Sequence, residues 1–389
     1  MKKLLSSILL LFGSYAIGQY TITVSPSLVS VKHLPDAITV PSIDSALRTA
    51  LRVPDKDIRI LLHAGFYTLD TPIELHSSRW KGKKLSLAAY PGEKVTISGG
   101  KVLQPQWKKY KNGIWQTKTQ ETDFDQLFVN DTPRILARYP NYRKGQILNG
   151  SSADALSAQR IKKWKSPEGG YIHALHDREW GGLYYQITGK QTDRLTYTGG
   201  YQNNRPSAMH KNCIFVENIF EELDSPGEWF LDKQKGILYY YPLPGENLQN
   251  STIIVSKLPE LIRITGNEND PIRHITIRDI EFTHTTRTFL EKYEPLLRSD
   301  WCIHRGAAVF IEFADNCHIM NCHFHHLGGN AVFFSKFNQD CSIRSSHIHD
   351  IGASAVCFVG DTSAVRSGLS NYGKSQPLEL MDLTPGPRN

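Results

Sequence analysis

The chain writes one motif twice. "NCHFHHLGGNAVFF" begins at Asn321 and "SSHIHDIGASAVCF" begins at Ser345, 24 residues later. Overlaying the two copies puts Cys317 on Cys341, Ile319 on Ile343, Phe324 on Ile348, Leu327 on Ile351, Gly328 on Gly352, Ala331 on Ala355 and Phe334 on Phe358. "GAAVFI" from Gly306 continues the series one turn earlier, with Gly306, Asn330 and Ser354 in one column. "HITIRDIEFTHTT" from His274 matches the 316–327 segment at an offset of 42, and the extra 18 residues fall in "RTFLEKYEPLLRSDWCIH" before Gly306. Each unit is made of short alternating runs that end on Gly or Asn corners, none long enough for a globular helix. So small a unit cannot bury its own apolar face and must stack on copies of itself. The spacing therefore predicts an all-β parallel β-helix, with Ile, Val, Phe and Cys pointing inward in columns.

Strand alternation then fixes where the histidines point. In "CHFHH", Cys322 and Phe324 face in, so His323 and His325 face out. The next coil stacks His347 and His349 over them, and the preceding coil adds Glu281 and Thr283. Three uses of this face stay open. It is a solvated hydrogen-bond ladder, a surface for sugar hydroxyls with imidazole acid/base chemistry, or a metal site. Beyond Glu281 the sequence supplies no carboxylate to support ligating imidazoles, so no metal and no cofactor is assigned.

The two ends and the middle read differently. "MKKLLSSILLLFGSYAIGQ" has two lysines, an apolar run and the small-x-small triplet ending at Gly18, the pattern of a signal peptide over residues 1–18. No cysteine stands near that cut, so a lipid anchor is not expected and the chain is placed in the periplasm or outside the cell. No later run is apolar enough to span a bilayer. Residues 19–100 read as a cap and the first coils: Ile43, Ala46, Leu47, Ala50 and Leu51 share a helical face behind Ser42 as N-cap. From 101 to 256 the rhythm is absent, and hairpins such as "EWFLDKQKGILYYYP" predict an inserted, β-sandwich-like domain turning at Asp232 to Gly236. Its Trp229, Tyr239, Tyr240 and Tyr241 are either hairpin core or rings for stacking on sugars. Residues 257–389 return to coils. They end in a non-repetitive tail that leaves a strand edge bare, so further coils are expected beyond Asn389.

Charge and cysteine usage exclude some partners. The formal net charge of +7 falls to +5 without Lys2 and Lys3, and the one dense basic run, "RIKKWK" from Arg160, reads as a solvated loop, so no nucleic-acid partner is expected. Five of the six cysteines lie between Cys302 and Cys357 inside the repeats, and core ladder positions fit them better than bridges, although stacked neighbours stand close enough to bond.

Several segments carry a family resemblance. "FVNDTPRILARYPN" (Phe128 to Asn141), "FEELDSPGEWFLDKQKGILYYYP" (Phe220 to Pro242), "WCIHRGAAVFIE" (Trp301 to Glu312) and "HLGGNAVFF" followed by "GASAVCFVGD" resemble exported Bacteroidetes-type proteins of glycoside hydrolase family 141 and its relatives. The resemblance implies a right-handed, pectate-lyase-like parallel β-helix with an inserted domain. It also implies hydrolysis of plant cell-wall polysaccharide, in pectic side chains or xylan, by enzymes linked with α-L-fucosidase and xylanase activities. Family members continue past the point equivalent to Asn389, so the catalytic pair is not carried over. Two carboxyl groups about 5 to 9.5 Å apart are what such chemistry needs. The carboxylates in or beside the coils are Glu281, Glu312, Asp315, Asp350 and Asp361, with Glu281 and Asp361 as catalytic candidates. His323, His325, His347, His349, His304 and Arg305 are the candidates for binding substrate. A polysaccharide lyase on the same scaffold and a non-catalytic carbohydrate-binding or adhesive protein are the alternatives.

Overall fold

The structure is a computed structural model that describes residues 19–26, 34, 36–54, 56–202, 207–295 and 302–361. Residues 1–18, where a signal peptide is expected, Trp301 and the tail after Asp361 lie outside the described residues.

Three parallel sheets surround one apolar core. The first runs Ile38–Val40, Gln19–Val24, Asp57–Leu62, Leu85–Ala89, Ile275–Arg278, His318–Met320 and Ser342–Arg344. The second joins Gly65–Thr68, Val95–Ser98, Glu281–Thr283, His323–Phe324 and His347–Ile348. The third joins Ile73–His76, Ile262–Thr265, Val309–Asp315, Val332–Gln339 and Val356–Val359. Every repeat thus gives one short strand to each sheet, and its neighbours in space are the same positions of the next repeat.

Registers in the first two sheets follow the sequence repeat. Ile277 pairs with Ile319 and Ile319 with Ile343, while Phe282 pairs with Phe324 and Phe324 with Ile348. Phe282 and Phe324 are fully buried with ring centroids 5.0 Å apart, each ring extending the apolar column by one storey. In the third sheet one expectation is corrected. Val309 pairs with Val332, an offset of 23, and the offset returns to 24 only at Ala314 and Asn338. A bulge around Lys336, whose φ is 57°, absorbs the extra residue. Gly306 is therefore not beneath Asn330 in backbone register, yet the Asn330 amide still donates to the Gly306 carbonyl at 2.8 Å.

The ends of the core follow local rules. Helix Ile43–Arg52 starts at Ser42, whose hydroxyl accepts from the Ser45 amide, and it buries Ile43, Ala46 and Ala50 against the first strands. All described cysteines are free thiols, and Cys317, Cys322 and Cys341 line the core as small apolar residues. Among the described residues no helix is long and apolar enough to cross a membrane.

Residues between Gly100 and Ser256 form other sheets. Gly100–Leu103 runs antiparallel to Ile253–Ser256, so this segment leaves and rejoins the stack side by side. Within it lie an eight-stranded sheet, mostly antiparallel, and a five-stranded antiparallel one. It departs after Val95–Ser98 of the second sheet and returns before Ile262–Thr265 of the third. The 287–304 excursion leaves at the same corner one coil later, between Glu281–Thr283 and Val309–Asp315. In the hairpin, Trp229 and Tyr240 are fully buried and Tyr239 nearly so, which removes those three rings from any role in stacking on sugars. The "RIKKWK" run is also corrected: Arg160 and Ile161 close a short helix, Arg160 pairs with Glu222, and the fully buried Trp164 donates to Glu222 at 2.6 Å. Only Lys162, Lys163 and Lys165 face water there.

Candidate functional site

Parallel register turns single residues into columns. Glu281, His323 and His347 stand above one another on the second sheet, and the backbone bonds from His325 to Phe282 and from His349 to Phe324 set a second column beside them. A third column follows at the corner, where His284, His326 and Asp350 adopt φ of 62°, 51° and 48°. The strand-parity rule does not reach these corner residues, and sequence reasoning missed the two histidines there.

The three columns form one connected line of polar groups. Glu281 Oε1 accepts from His325 Nε2 at 2.8 Å, while Oε2 accepts from the Thr96 hydroxyl at 2.6 Å and lies 3.1 Å from Lys94 Nζ. His323 turns Nδ1 towards Glu281 at 3.6 Å and Nε2 towards His349 Nε2 at 2.7 Å. His349 Nδ1 bonds Asp350 at 2.8 Å, and His325 Nδ1 meets His326 Nδ1 at 3.0 Å. From there the line crosses to the 101–256 segment. Asp131 Oδ1 stands 3.0 Å from His284 Nε2 and 3.7 Å from His326 Nδ1. Asn130 and Asp131, both at positive φ, form the two-residue tip of the hairpin between Leu127–Val129 and Thr132–Leu136, and Phe128 packs its ring against His284 and His326.

One placement differs from expectation. His325 occupies an outward column but is buried, because His326, His349 and the Glu281 carboxylate close over it. His323 and His349 are partly exposed and His347 is exposed. A cleft of about 470 Å³ opens beside Glu281 and His323, with Tyr90, Lys94, Asp279 and Asn321 on its walls.

The charges are fixed by these contacts. The His325 hydrogen bond, aided by Thr96 and Lys94 against the cost of burial, pulls the Glu281 carboxyl down to about 2. Hydrogen bonds from His284 and His326 hold Asp131 well below the usual carboxylate range. Burial pushes the His284 imidazole down against the pull of Asp131, and burial with the neighbouring His325 pushes His323 down. The face therefore presents an ionised carboxylate beside a neutral imidazole at neutral pH.

A pH prediction follows. Folding lowers the Glu281 value from an ordinary 4.5 to about 2, so its stabilising contribution is fully present above about pH 5 and is lost as pH falls towards 2. The stability gap between the native chain and Glu281→Gln should be widest near about pH 7 and narrow by about pH 3 in thermal denaturation. An unchanged gap would show that Glu281 gains nothing from its partners on folding.

His304, Arg305 and Asp361 lie elsewhere, in loops that flank strands of the third sheet. Arg305 forms a two-pronged pair with Glu294, donates to the Ser335 hydroxyl at 2.6 Å and to the Gly360 carbonyl at 2.8 Å, so its donors are engaged within the chain. His304 lies beside Tyr293, and burial pushes its imidazole down. Lys336 Nζ stands 3.4 Å from Glu312 and 3.8 Å from Asp361 and holds the two carboxylates together. The candidate residues thus split into two groups, one on and beside the second sheet and one in loops beside the third.

Comparison with known proteins gives a likeness of fold. No family model matches the sequence, and no curated protein matches it. A solved structure described as "Glycoside hydrolase" aligns over 84% of this chain with a TM-score of 0.63 and 22% identity. This chain spans 65% of that one's length. A second, "The complex structure of XylC with xylose", aligns over 86% of this chain and 54% of its own at 12% identity and a TM-score of 0.38. The first likeness is one of fold.

Proposed function

We propose that the chain is an exported glycoside hydrolase of plant cell-wall polysaccharide, built as a right-handed parallel β-helix into which residues 101–256 are inserted as a domain. Parallel strands joined by crossover connections are right-handed in nearly all known sheets, which supports the handedness. The fold it shares with a solved structure described as a glycoside hydrolase supports the reaction class. The observation that carries the reading is Glu281: an ionised carboxylate held by His325, Thr96 and Lys94 at the edge of a 470 Å³ cleft, beside a neutral His323. In that state it acts as base or nucleophile, and His323 accepts or relays a proton. Asp131, from the insert, completes the polar wall on the far side of His325 and His326.

One observation favours a second reading, a polysaccharide lyase. Lys94 supplies a cation next to Glu281 and the neutral His323, the equipment for neutralising a uronate carboxylate and removing its neighbouring proton. The full chain, incubated with pectic and xylan oligosaccharides, is expected to release new reducing ends without unsaturated uronates, and Glu281→Gln to lower the rate by about 100- to 10,000-fold. Absorbance from unsaturated uronates would establish the lyase instead. Binding with neither product would leave a carbohydrate-binding protein, and full activity in Glu281→Gln would remove that residue from the chemistry.

A further inference from the structure

The imidazoles beyond Glu281 converge closely enough to share one ion. Asp350 Oδ2 lies 2.8 Å from His349 Nδ1, and an ionised carboxylate only accepts, so the His349 proton is on Nδ1 and its Nε2 carries a lone pair. Glu281 Oε1 lies 3.6 Å from His323 Nδ1, too far for a hydrogen bond, and leaves that ring free to present Nε2 to an ion. His323 Nε2 faces the His349 lone pair at 2.7 Å, a gap that either one shared proton or one metal ion accepted by both rings satisfies. His347 stacks parallel to His323, with centroids 5.2 Å apart and planes 3° apart, and the ligand atoms of His323, His347 and His349 all fall within 4.8 Å of one another.

We propose that His323, His347 and His349 form a binding site for a divalent transition ion of the zinc class, spanning two successive repeats and open on its fourth side. Nitrogen ligands about 2.0 to 2.1 Å from a tetrahedral zinc stand roughly 3.4 Å from each other, a spacing these three rings reach by small side-chain rotations. Three neutral imidazoles suit zinc, copper or nickel, whereas calcium and magnesium call for oxygens. Asp350 is the outer carboxylate whose bond to His349 the sequence did not reveal, because it stands at a corner rather than in a strand. Two neighbouring groups fit less well. His284 spends both ring nitrogens on Ser98 and Asp131, and both Glu281 oxygens are engaged by His325, Thr96 and Lys94. The ion would tie the two repeats together and leave a coordination position for water or a substrate oxygen. The site shares His323 with the glycosidase assignment, where that ring would serve as ligand in place of proton carrier once the ion is bound, and ion binding is read without reference to activity.

The test uses the full chain prepared without a polyhistidine tag, stripped with chelator and titrated calorimetrically with zinc, then with cobalt(II) while visible absorption is followed. Saturable binding of one ion per chain is expected, with the intense absorption of four-coordinate cobalt and no response to magnesium or calcium. His347→Ala and His349→Ala should abolish it. Asp350→Asn, an exposed change that leaves all three ligands in place, should weaken it about 10- to 100-fold. Circular dichroism reports whether each variant keeps its fold. Absence of saturable binding in the native chain would overturn the proposal, as would native affinity in folded His347→Ala, His349→Ala and Asp350→Asn. The first outcome would leave a shared proton between His323 and His349, and the second would move the ion elsewhere.

Discussion

Gly328→Ala should destabilise the chain by about 3 kcal/mol, read as a fall in Tm of roughly 4 °C. A Cβ at this position would overlap the Thr286 carbonyl and the Arg287 amide of the preceding coil, and a Cβ at Gly352 would overlap the Gly328 carbonyl in turn. Neither backbone can withdraw easily. Gly328 donates to the Thr285 carbonyl at 3.1 Å and Gly352 to that of Leu327 at 2.7 Å, so making room costs the bonds that join successive coils. The glycine column is therefore a packing requirement at the corner where the 287–304 excursion begins. An unchanged Tm in Gly328→Ala would mean that the coils do not approach each other there.

Arg287→Ala is expected to cost about 3–5 kcal/mol at neutral pH, because it strips the partner from a buried carboxylate. Arg287 donates to Glu217 at 2.6 Å and to Asp125 at 3.2 Å, and His173 bonds Glu217 at 2.9 Å, stacked between Phe215 and Phe289. Burial alone would push the Glu217 carboxyl up, but Arg287 and His173 outweigh it and hold it well below the usual range. Without Arg287, burial prevails and the folded-state value rises, so the folded variant takes up a proton more readily than the unfolded chain. Its deficit against the native protein should then be greatest near about pH 7 and shrink in mild acid as Glu217 becomes neutral. A deficit independent of pH would place the cost in lost packing rather than in an unpaired charge. This cluster ties the excursion to the 101–256 segment, and its loss should loosen the wall that carries Asp131.

What the sequence disclosed follows from where periodicity operates. The stacking of Phe324 on Ile348, the outward column of Glu281, His323 and His347, the Ser42 cap and the hairpin turning at Asp232 to Gly236 all rest on local rules, strand alternation or a fixed repeat. Those rules stop at corners and between segments. His284, His326 and Asp350 sit at left-handed corners, where the inside–outside alternation of a strand is undefined. Asp131 and the Arg287–Glu217 pair depend on how a non-repetitive segment docks against the stack, and no spacing encodes that. The signal for Asp131 was nevertheless present: an Asn-Asp pair between two apolar runs in "FVNDTPRIL" is a two-residue hairpin tip. The one-residue slip between Val309 and Val332 was hidden for a different reason. Side-chain identities at Gly306, Asn330 and Ser354 obey the repeat while the backbone, through the bulge at Lys336, does not.

The column that carries Glu281 and the histidines is tested most directly by paired cysteines. His323→Cys with His347→Cys puts two thiols on Cα partners in adjacent parallel strands about 4.8 Å apart, on the same face and within disulfide reach. Mild oxidation followed by peptide mapping should yield a 323–347 cross-link in that variant and none in His323→Cys with Ile348→Cys, whose second thiol points into the core. A cross-link in the second variant and not in the first would contradict the stacking on which the candidate site is built.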